Sequence, residues 1–158
     1  MSSQVQYLYH KYVKGTLKLS TVEDKIVLVC KLTNAVKNVI KCIEPKVYVT
    51  SRMLKHLYDN KPAEEFHFLV DNIEKIVKFP DSIYKNKGGK RGEFCFVKRL
   101  NNDSYICPVE IIENCEKTEI PSGSPAGIYI ATGFRIRKAN YLKNYELIWS
   151  WKGDTPSS

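Results

Sequence analysis

Apolar side chains recur at helical spacing in two segments between residues 50 and 80. The first segment follows a short predicted strand at 47–49, and the Thr50 or Ser51 hydroxyl can accept the free amides of its first turn. The second begins at Pro62, which suits a first helical turn, and ends before Pro80. Repeats of three and four positions predict two amphipathic helices that cover a core. The repeating residues are Met53, Leu54, Leu57 and Tyr58, and then Phe66, Leu69, Val70, Ile73, Ile76 and Val77.

After Pro80 the apolar positions alternate, which indicates strands. Four segments show this pattern: DSIYKN, EFCFVKRL, SYICPVEII and AGIYIATGFRI. Short glycine- or asparagine-rich connections pair neighbouring strands directly, as in an antiparallel meander. We therefore predict an α+β domain over residues 45–153, with two helices packed on a four- to five-stranded antiparallel sheet. Residues 1–44 are predicted to form an N-terminal elaboration of one or more strands followed by a short helix.

The net charge is +8, from 25 basic and 17 acidic residues. It is concentrated, because residues 78–99 carry seven basic residues against two acids and residues 135–143 carry four basic residues and no acid. This distribution favours polyanionic partners, with nucleic acid first.

Several classes of protein are disfavoured by the sequence. No apolar run reaches the roughly 18–20 residues that a membrane span needs, and the start lacks a secretory pattern, so we expect a cytoplasmic protein without membrane contact. The five cysteines include no C-x-x-C pair, and the three histidines lack metal-ligand spacing, which argues against a disulfide framework and against a metal site. Cys95 and Cys107 lie in strand-like runs and are expected to be small buried hydrophobes.

Arg52 and His56 are the first candidates for chemistry. Four residues apart on a predicted helix, they share one face, so an imidazole that titrates near neutral pH would stand beside a fixed cation. The alternative is an ordinary surface helix, or a half-buried histidine at the margin of the core.

Further polar candidates lie on the predicted sheet. Strand alternation sends Lys98 and Arg99 to opposite faces, and either is alternatively a simple charge at a strand end. The Thr132 hydroxyl in an apolar strand needs a hydrogen bond to the chain or to a ligand, because burying it bare costs roughly 1–3 kcal/mol. The Tyr141 side chain is expected to stack on a base, to donate a hydrogen bond to a phosphate, or to pack against the protein. Trp149 and Trp151 alternate as in a strand, and pack at a sheet edge or stack on bases.

The stretch YKNKGGKRGE at 84–93 joins two predicted strands and is either a phosphate-contacting loop or a solvated turn. It lacks the GxxxxGK[ST] order of a nucleotide-binding P-loop. Its basic residues are Lys85, Lys87, Lys90 and Arg91.

The order of these motifs resembles a known family. A helix with R-x-x-x-H, a second helix, and then FPDSIYKN, EFCFVKRL, YICPVEI and IYIATGF are similar to nuclease domains of the barnase/EndoU/colicin/RelE-like superfamily that phages and mobile elements carry. The resemblance covers residues 47–145 and rests on diffuse motifs. It implies a metal-independent ribonuclease without a cofactor, in which the 2′-oxygen of RNA attacks the adjacent phosphorus.

The resemblance also implies roles for individual residues. His56 would transfer a proton, Arg52 and one of Lys98 or Arg99 would stabilise the charge on phosphorus, and Thr132 would donate to the phosphate. Tyr141 would orient a base or the phosphate. The residues expected to contact the RNA backbone are Lys85, Lys87, Lys90, Arg91, Arg135 and Arg137.

The expected partner is RNA, with transfer RNA as one candidate, and an antitoxin or another protein is a further candidate. Two other functions remain open at this point. One is a catalytically inactive nucleic-acid-binding module, and the other is an inhibitor that binds a host protein.

Overall fold

The computed structural model describes residues 2–86, 94–113 and 123–151. These residues form four α-helices and an eight-stranded mixed sheet, which confirms the predicted α+β class. The helices are α1 (Ser3–Leu8), α2 (Asn34–Ile40), α3 (Ser51–Asn60) and α4 (Ala63–Lys78), and a π-helical turn (Tyr9–Val13) follows α1. The strands are β1 (Ile26–Lys31), β2 (Lys46–Thr50), β3 (Ser82–Lys85), β4 (Phe94–Leu100), β5 (Asp103–Ile112), β6 (Gly127–Ile130), β7 (Phe134–Arg135) and β8 (Glu146–Ser150).

The sheet is larger than predicted and is not purely antiparallel. Its order is β1-β2-β6-β5-β4-β3-β8, β7 pairs with β5, and β2 runs parallel to β6. The predicted four- to five-stranded antiparallel sheet was therefore wrong in its strand number and in this one pairing. Local alternation cannot reveal the parallel pair, because its partners Val47 and Ile128 lie far apart in the chain.

The two predicted helices are confirmed as α3 and α4. The Thr50 hydroxyl accepts the amide of Met53 at 3.1 Å and caps α3. Pro62 precedes α4, and Glu64 and Glu65 lie in its first turn, where carboxylates favour the positive end of the helix dipole. The apolar residues of α4 from Phe66 to Val77 are buried in the main core together with side chains of the sheet.

The first 44 residues add to this same core. Val5, Leu8 and Val13 from α1 and the π-helical turn are buried in it, and β1 pairs with β2 along its length. Two of the four helices in the described residues, α1 and α2, come from this segment.

Both faces of the central strands are covered. Phe96 of β4 belongs to the core beneath α4, whereas Cys95 and Val97 belong to a second cluster that packs against Phe134, Ile136, Leu142 and Tyr145. The alternation predicted for β4 therefore continues through buried positions on both sides of the sheet.

Gly127 is required where β6 meets β2. Its φ is +153°, and a Cβ at this position would lie 2.7 Å from the carbonyl oxygen of Lys46 and 2.7 Å from the Tyr48 ring. The absence of a side chain therefore permits the close approach of the two parallel strands.

We predict that Gly127→Ala lowers the free energy of unfolding by about 2–4 kcal/mol, because it adds both backbone strain and a clash with a strand. The measurement is the urea midpoint at constant denaturant slope. Gly15→Ala is the control, since its φ is +78° but a Cβ there meets nothing within 4 Å. Equal losses in the two variants would contradict the proposed role of the close strand contact.

Candidate functional site

The inner face of α3 fixes how this helix lies on the molecule. Ser51 is fully buried; its hydroxyl donates to the Glu23 carbonyl at 2.5 Å and accepts the Lys25 amide at 2.8 Å. One turn later the buried Lys55 ammonium donates to the Leu17 carbonyl at 2.6 Å and to Asp59 at 2.7 Å. These contacts tie α3 to the segment before β1 and direct its opposite face to solvent.

That opposite face carries Arg52, His56 and Asn60, which are all exposed and are spaced by four residues. The Asn60 side-chain amide donates to the His56 carbonyl at 2.7 Å and lies 3.4 Å from His56 Nδ1. A donor facing Nδ1 favours the tautomer with its proton on Nε2. The imidazole is thus oriented by its own helix and is not packed into the core.

Asp24 is a neighbour of Arg52 that the sequence did not reveal. Burial raises the pKa of the Asp24 carboxyl above its usual range, and the positive charge of Arg52 opposes this shift. Within the described residues, Asp24 Oδ1 is buried without a hydrogen-bond partner. A carboxyl with a raised pKa beside an exposed arginine is a candidate proton-transfer group.

Thr132 lies at the same edge of the sheet as the start of α3. Because β2 and β6 are parallel, their carboxyl ends meet at one edge, where β2 leads directly into α3 and β6 leads to Thr132. The structure therefore brings Arg52 and Thr132 to one edge, although they are 80 positions apart in the sequence.

Thr132 is not inside a regular strand, in contrast to the prediction. Ile130 pairs with Val109 and Phe134 pairs with Ile106, so one strand has one residue more than the other between these pairs. This extra residue makes a β-bulge at 131–133, a feature that re-aims side chains. A Cβ on Gly133 would lie 3.0 Å from Leu69, so the bulge packs closely on α4.

The other proposed catalytic side chains have different surroundings. Lys98 donates to the Phe79 carbonyl at 2.7 Å and lies 3.6 Å from Asp81 Oδ1. The exposed Arg99 follows it on β4, and its amide donates to Asp81 Oδ2 at 2.7 Å.

Tyr141 packs edge-on against Phe134 at a centroid distance of 5.3 Å. The ammonium of Lys61, directly after α3, lies 5.4 Å from the centre of the same Phe134 ring, so Tyr141 and the residue after α3 both contact Phe134.

The predicted RNA-contacting arginines are partly neutralised. Arg137 Nη2 lies 2.7 Å from Glu65 Oε2, and Arg135 Nη1 lies 3.6 Å from Asp103 Oδ2. The Arg135 amide also donates to Glu65 at 3.3 Å. Burial raises the pKa of Glu65, but the hydrogen bonds from Arg137 and from the Arg135 amide outweigh it, so that the pKa lies below its usual range.

Of the basic loop, Lys85 is exposed at the end of β3. The other three predicted contacts, Lys87, Lys90 and Arg91, lie outside the described residues.

A concavity lies elsewhere, between the start of α2, the connection from α4 to β3, β4 and β8. It has a volume of about 330 Å³, and its walls include Phe79, Trp149 and Trp151 together with Lys98. In the sequence, Trp149, Trp151 and Lys98 are separate candidates. The sequence carries no signal that joins them to the residues after β1.

Among the described residues, no group of three or more His, Cys, Asp or Glu side chains is placed to hold a metal ion, and no helix is long and apolar enough to cross a membrane. Cys95 and Cys107 are buried as predicted, and burial raises the pKa of each thiol to about 12, which keeps both protonated.

Comparison of the chain with models of known protein families, with curated proteins and with solved structures finds no significant match.

We predict that Glu65→Gln destabilises the protein by about 1–2 kcal/mol at pH 7, because the variant loses charge-assisted bonds to Arg137 and to the Arg135 amide. A carboxyl whose pKa is lowered by folding stabilises the folded state above its unfolded pKa, about 4.3, and this contribution is lost as the pH falls through the folded value. The difference in melting temperature between wild type and variant should therefore shrink below about pH 4.

The matched control is Glu64→Gln, which removes an exposed carboxylate from the same first turn of α4. This variant loses the same favourable interaction with the helix dipole, but it leaves the ion pair between Glu65 and Arg137 intact. A similar loss in both variants, or a difference for Glu65→Gln that persists at pH 3, would refute this account of Glu65.

Proposed function

We propose that this protein is a metal-independent endoribonuclease that acts on RNA in the cytoplasm, with a RelE/barnase/EndoU-like arrangement of helices on a sheet. This is the activity of the phage and mobile-element nucleases that the sequence resembles. The observation that carries the proposal is the exposed Arg52–His56 face of α3, which begins at the sheet edge that also carries the Thr132 bulge. An exposed imidazole one helical turn after an exposed arginine suits a phosphate group better than it suits a packing role.

In the proposed reaction, the 2′-oxygen of a ribose attacks the adjacent phosphorus and the 5′-oxygen leaves, which yields a 2′,3′-cyclic phosphate. The attacking hydroxyl must lose a proton and the leaving oxygen must gain one. We assign one transfer to His56 and the other to Asp24, whose pKa is raised by burial. Arg52 stabilises the negative charge that builds up on the phosphorane oxygens, and Thr132 donates a hydrogen bond to one of them.

Binding of the RNA strand is assigned to the basic residues of the 84–93 stretch and to Arg135 and Arg137. Lys85 together with Lys87, Lys90 and Arg91 contributes contacts to phosphates that weaken as salt rises. Arg135 and Arg137 contribute less than their formal charge, because Asp103 and Glu65 already pair with them.

The decisive test is incubation with transfer RNA and with a mixed RNA pool in the presence of EDTA. We predict cleavage with 2′,3′-cyclic ends, and a rate that falls by about 10²–10⁴ in His56→Ala, the usual contribution of a general acid or base. The control is His67→Ala, which removes an exposed imidazole from the neighbouring helix α4.

Cleavage that survives His56→Ala would refute the catalytic assignment, and intact RNA with the wild-type protein would refute the nuclease itself. Asp24→Asn separates the two proton transfers, since it should flatten one limb of the pH-rate profile while His56→Ala flattens the other.

A second candidate is a module that binds RNA without cutting it. The pairing of Lys98 with Asp81 favours this candidate, because this cation was expected to stabilise the charge on phosphorus and already has a structural partner. A gel that reports both mobility shift and RNA length distinguishes the two: a salt-sensitive shift with full-length RNA identifies the binding module.

A further inference from the structure

The cavity between α2, the α4–β3 connection, β4 and β8 has an aromatic side. Phe79 is 57% exposed and Trp151 is 60% exposed, which is unusual for rings of this size, and both line the cavity together with the partly buried Trp149. Such rings offer flat apolar surface to a planar ligand. Pockets for small ligands have volumes of about 300–1,000 Å³, so this cavity of about 330 Å³ suits a ligand at the small end of that range.

Its polar side is rigid. Asp81 accepts the Trp151 amide at 3.1 Å through its carbonyl, donates its own amide to the Val97 carbonyl at 2.8 Å, and accepts the Arg99 amide at 2.7 Å through its carboxylate. These three bonds fix the connection between α4 and β3 against β4 and the end of β8. Asp81 and the backbone around it are thus positioned before any ligand arrives, which lowers the entropic cost of binding.

The charge of the lining favours an anion. Lys78 and Lys98 contribute two ammonium groups, and Asp81 contributes one carboxylate. The Lys98 ammonium donates to the Phe79 carbonyl and lies 3.6 Å from Asp81 Oδ1. Because an ammonium has three N–H donors, it can donate to a ligand as well. Lys78 lies 3.9 Å from Glu74, with its ammonium 5.7 Å from the Phe79 ring centre. Because Asp81 and Glu74 already face these two ammonium groups, the remaining N–H donors of Lys78 and Lys98 are what the cavity offers to a polar ligand, and such donors suit an anion.

From these observations we propose that the cavity binds a nucleoside monophosphate, with the base against Phe79 and Trp151 and the phosphate at Lys78 and Lys98. Its lining comes from other elements than the face of α3 described above. The inference therefore goes beyond the proposed ribonuclease activity and does not depend on it.

The test is titration of the full chain with each of the four ribonucleoside monophosphates while the tryptophan fluorescence is recorded. Both tryptophans of the chain line the cavity, so the signal reports directly on this site. We expect a saturable change for at least one nucleotide, with about tenfold weaker binding of the matching nucleoside, which lacks the phosphate. Inorganic phosphate at the same concentration should leave the fluorescence unchanged.

Two variants tie the signal to the cavity. Phe79→Ser removes an exposed ring and should weaken binding about tenfold, the loss expected for one stacking contact. Lys78→Glu reverses one charge and should weaken nucleotide binding more than nucleoside binding, which also serves if Phe79→Ser fails to fold. Tyr7→Ser is the control, because it removes a ring of similar exposure from α1, 55% exposed, outside the cavity lining.

Absence of a saturable change at millimolar nucleotide would overturn the proposal. Equal binding of nucleoside and nucleotide, or an affinity that Lys78→Glu leaves intact, would overturn the phosphate assignment and with it the choice of ligand. None of these measurements requires RNA cleavage, so their outcome is independent of the nuclease assay.

Discussion

Burial of the apolar stripe of α4 is the constraint on which the rest of this structure depends. Phe66, Leu69, Val70, Ile73, Ile76 and Val77 of this helix are all buried against the sheet and the N-terminal helices. Each fully buried large apolar side chain contributes roughly 1.5–3 kcal/mol, so this stripe is a substantial part of the core. The two ends of α4 then organise the polar sites. Glu65 in the first turn binds Arg137 and the Arg135 amide, and the Phe79 carbonyl after the last turn binds Lys98.

The parallel pairing of β2 with β6 decides which polar groups meet at one edge. It places the start of α3 beside the chain that leaves β6, and the bulge at 131–133 interrupts the regular alternation at that point. Gly127 allows the two strands to approach, and Gly133 allows the bulge to pack on Leu69. Close backbone contacts therefore define this edge more than polar interactions do. The exposed Arg52 and His56 are placed by a helix whose inner face is fixed through Ser51 and Lys55.

The positive charge of the chain is less available than its total suggests. Arg137 is paired with Glu65, Arg135 with Asp103, Lys98 with Asp81 and Lys55 with Asp59. These pairs stabilise the arrangement of the sheet edge, the bulge and the helix ends. Arg52 on α3 and Lys85 on β3 lie at exposed positions.

The sequence alone determined the local elements and the side chains that share a face. The cap at Thr50, Pro62 before α4, and the alternation of β4 are each encoded within a few residues, so helices α3 and α4 and the opposite orientations of Phe96 and Val97 were predictable. Tertiary structure decided the parallel strand pair, the bulge at Thr132, the proximity of Asp24 to Arg52, and the cavity that joins Lys98 to both tryptophans. Some of these features bring together segments that lie more than a hundred positions apart in the chain. Such segments meet because they cover the apolar surface of α4, and a local sequence pattern does not encode contacts of this kind.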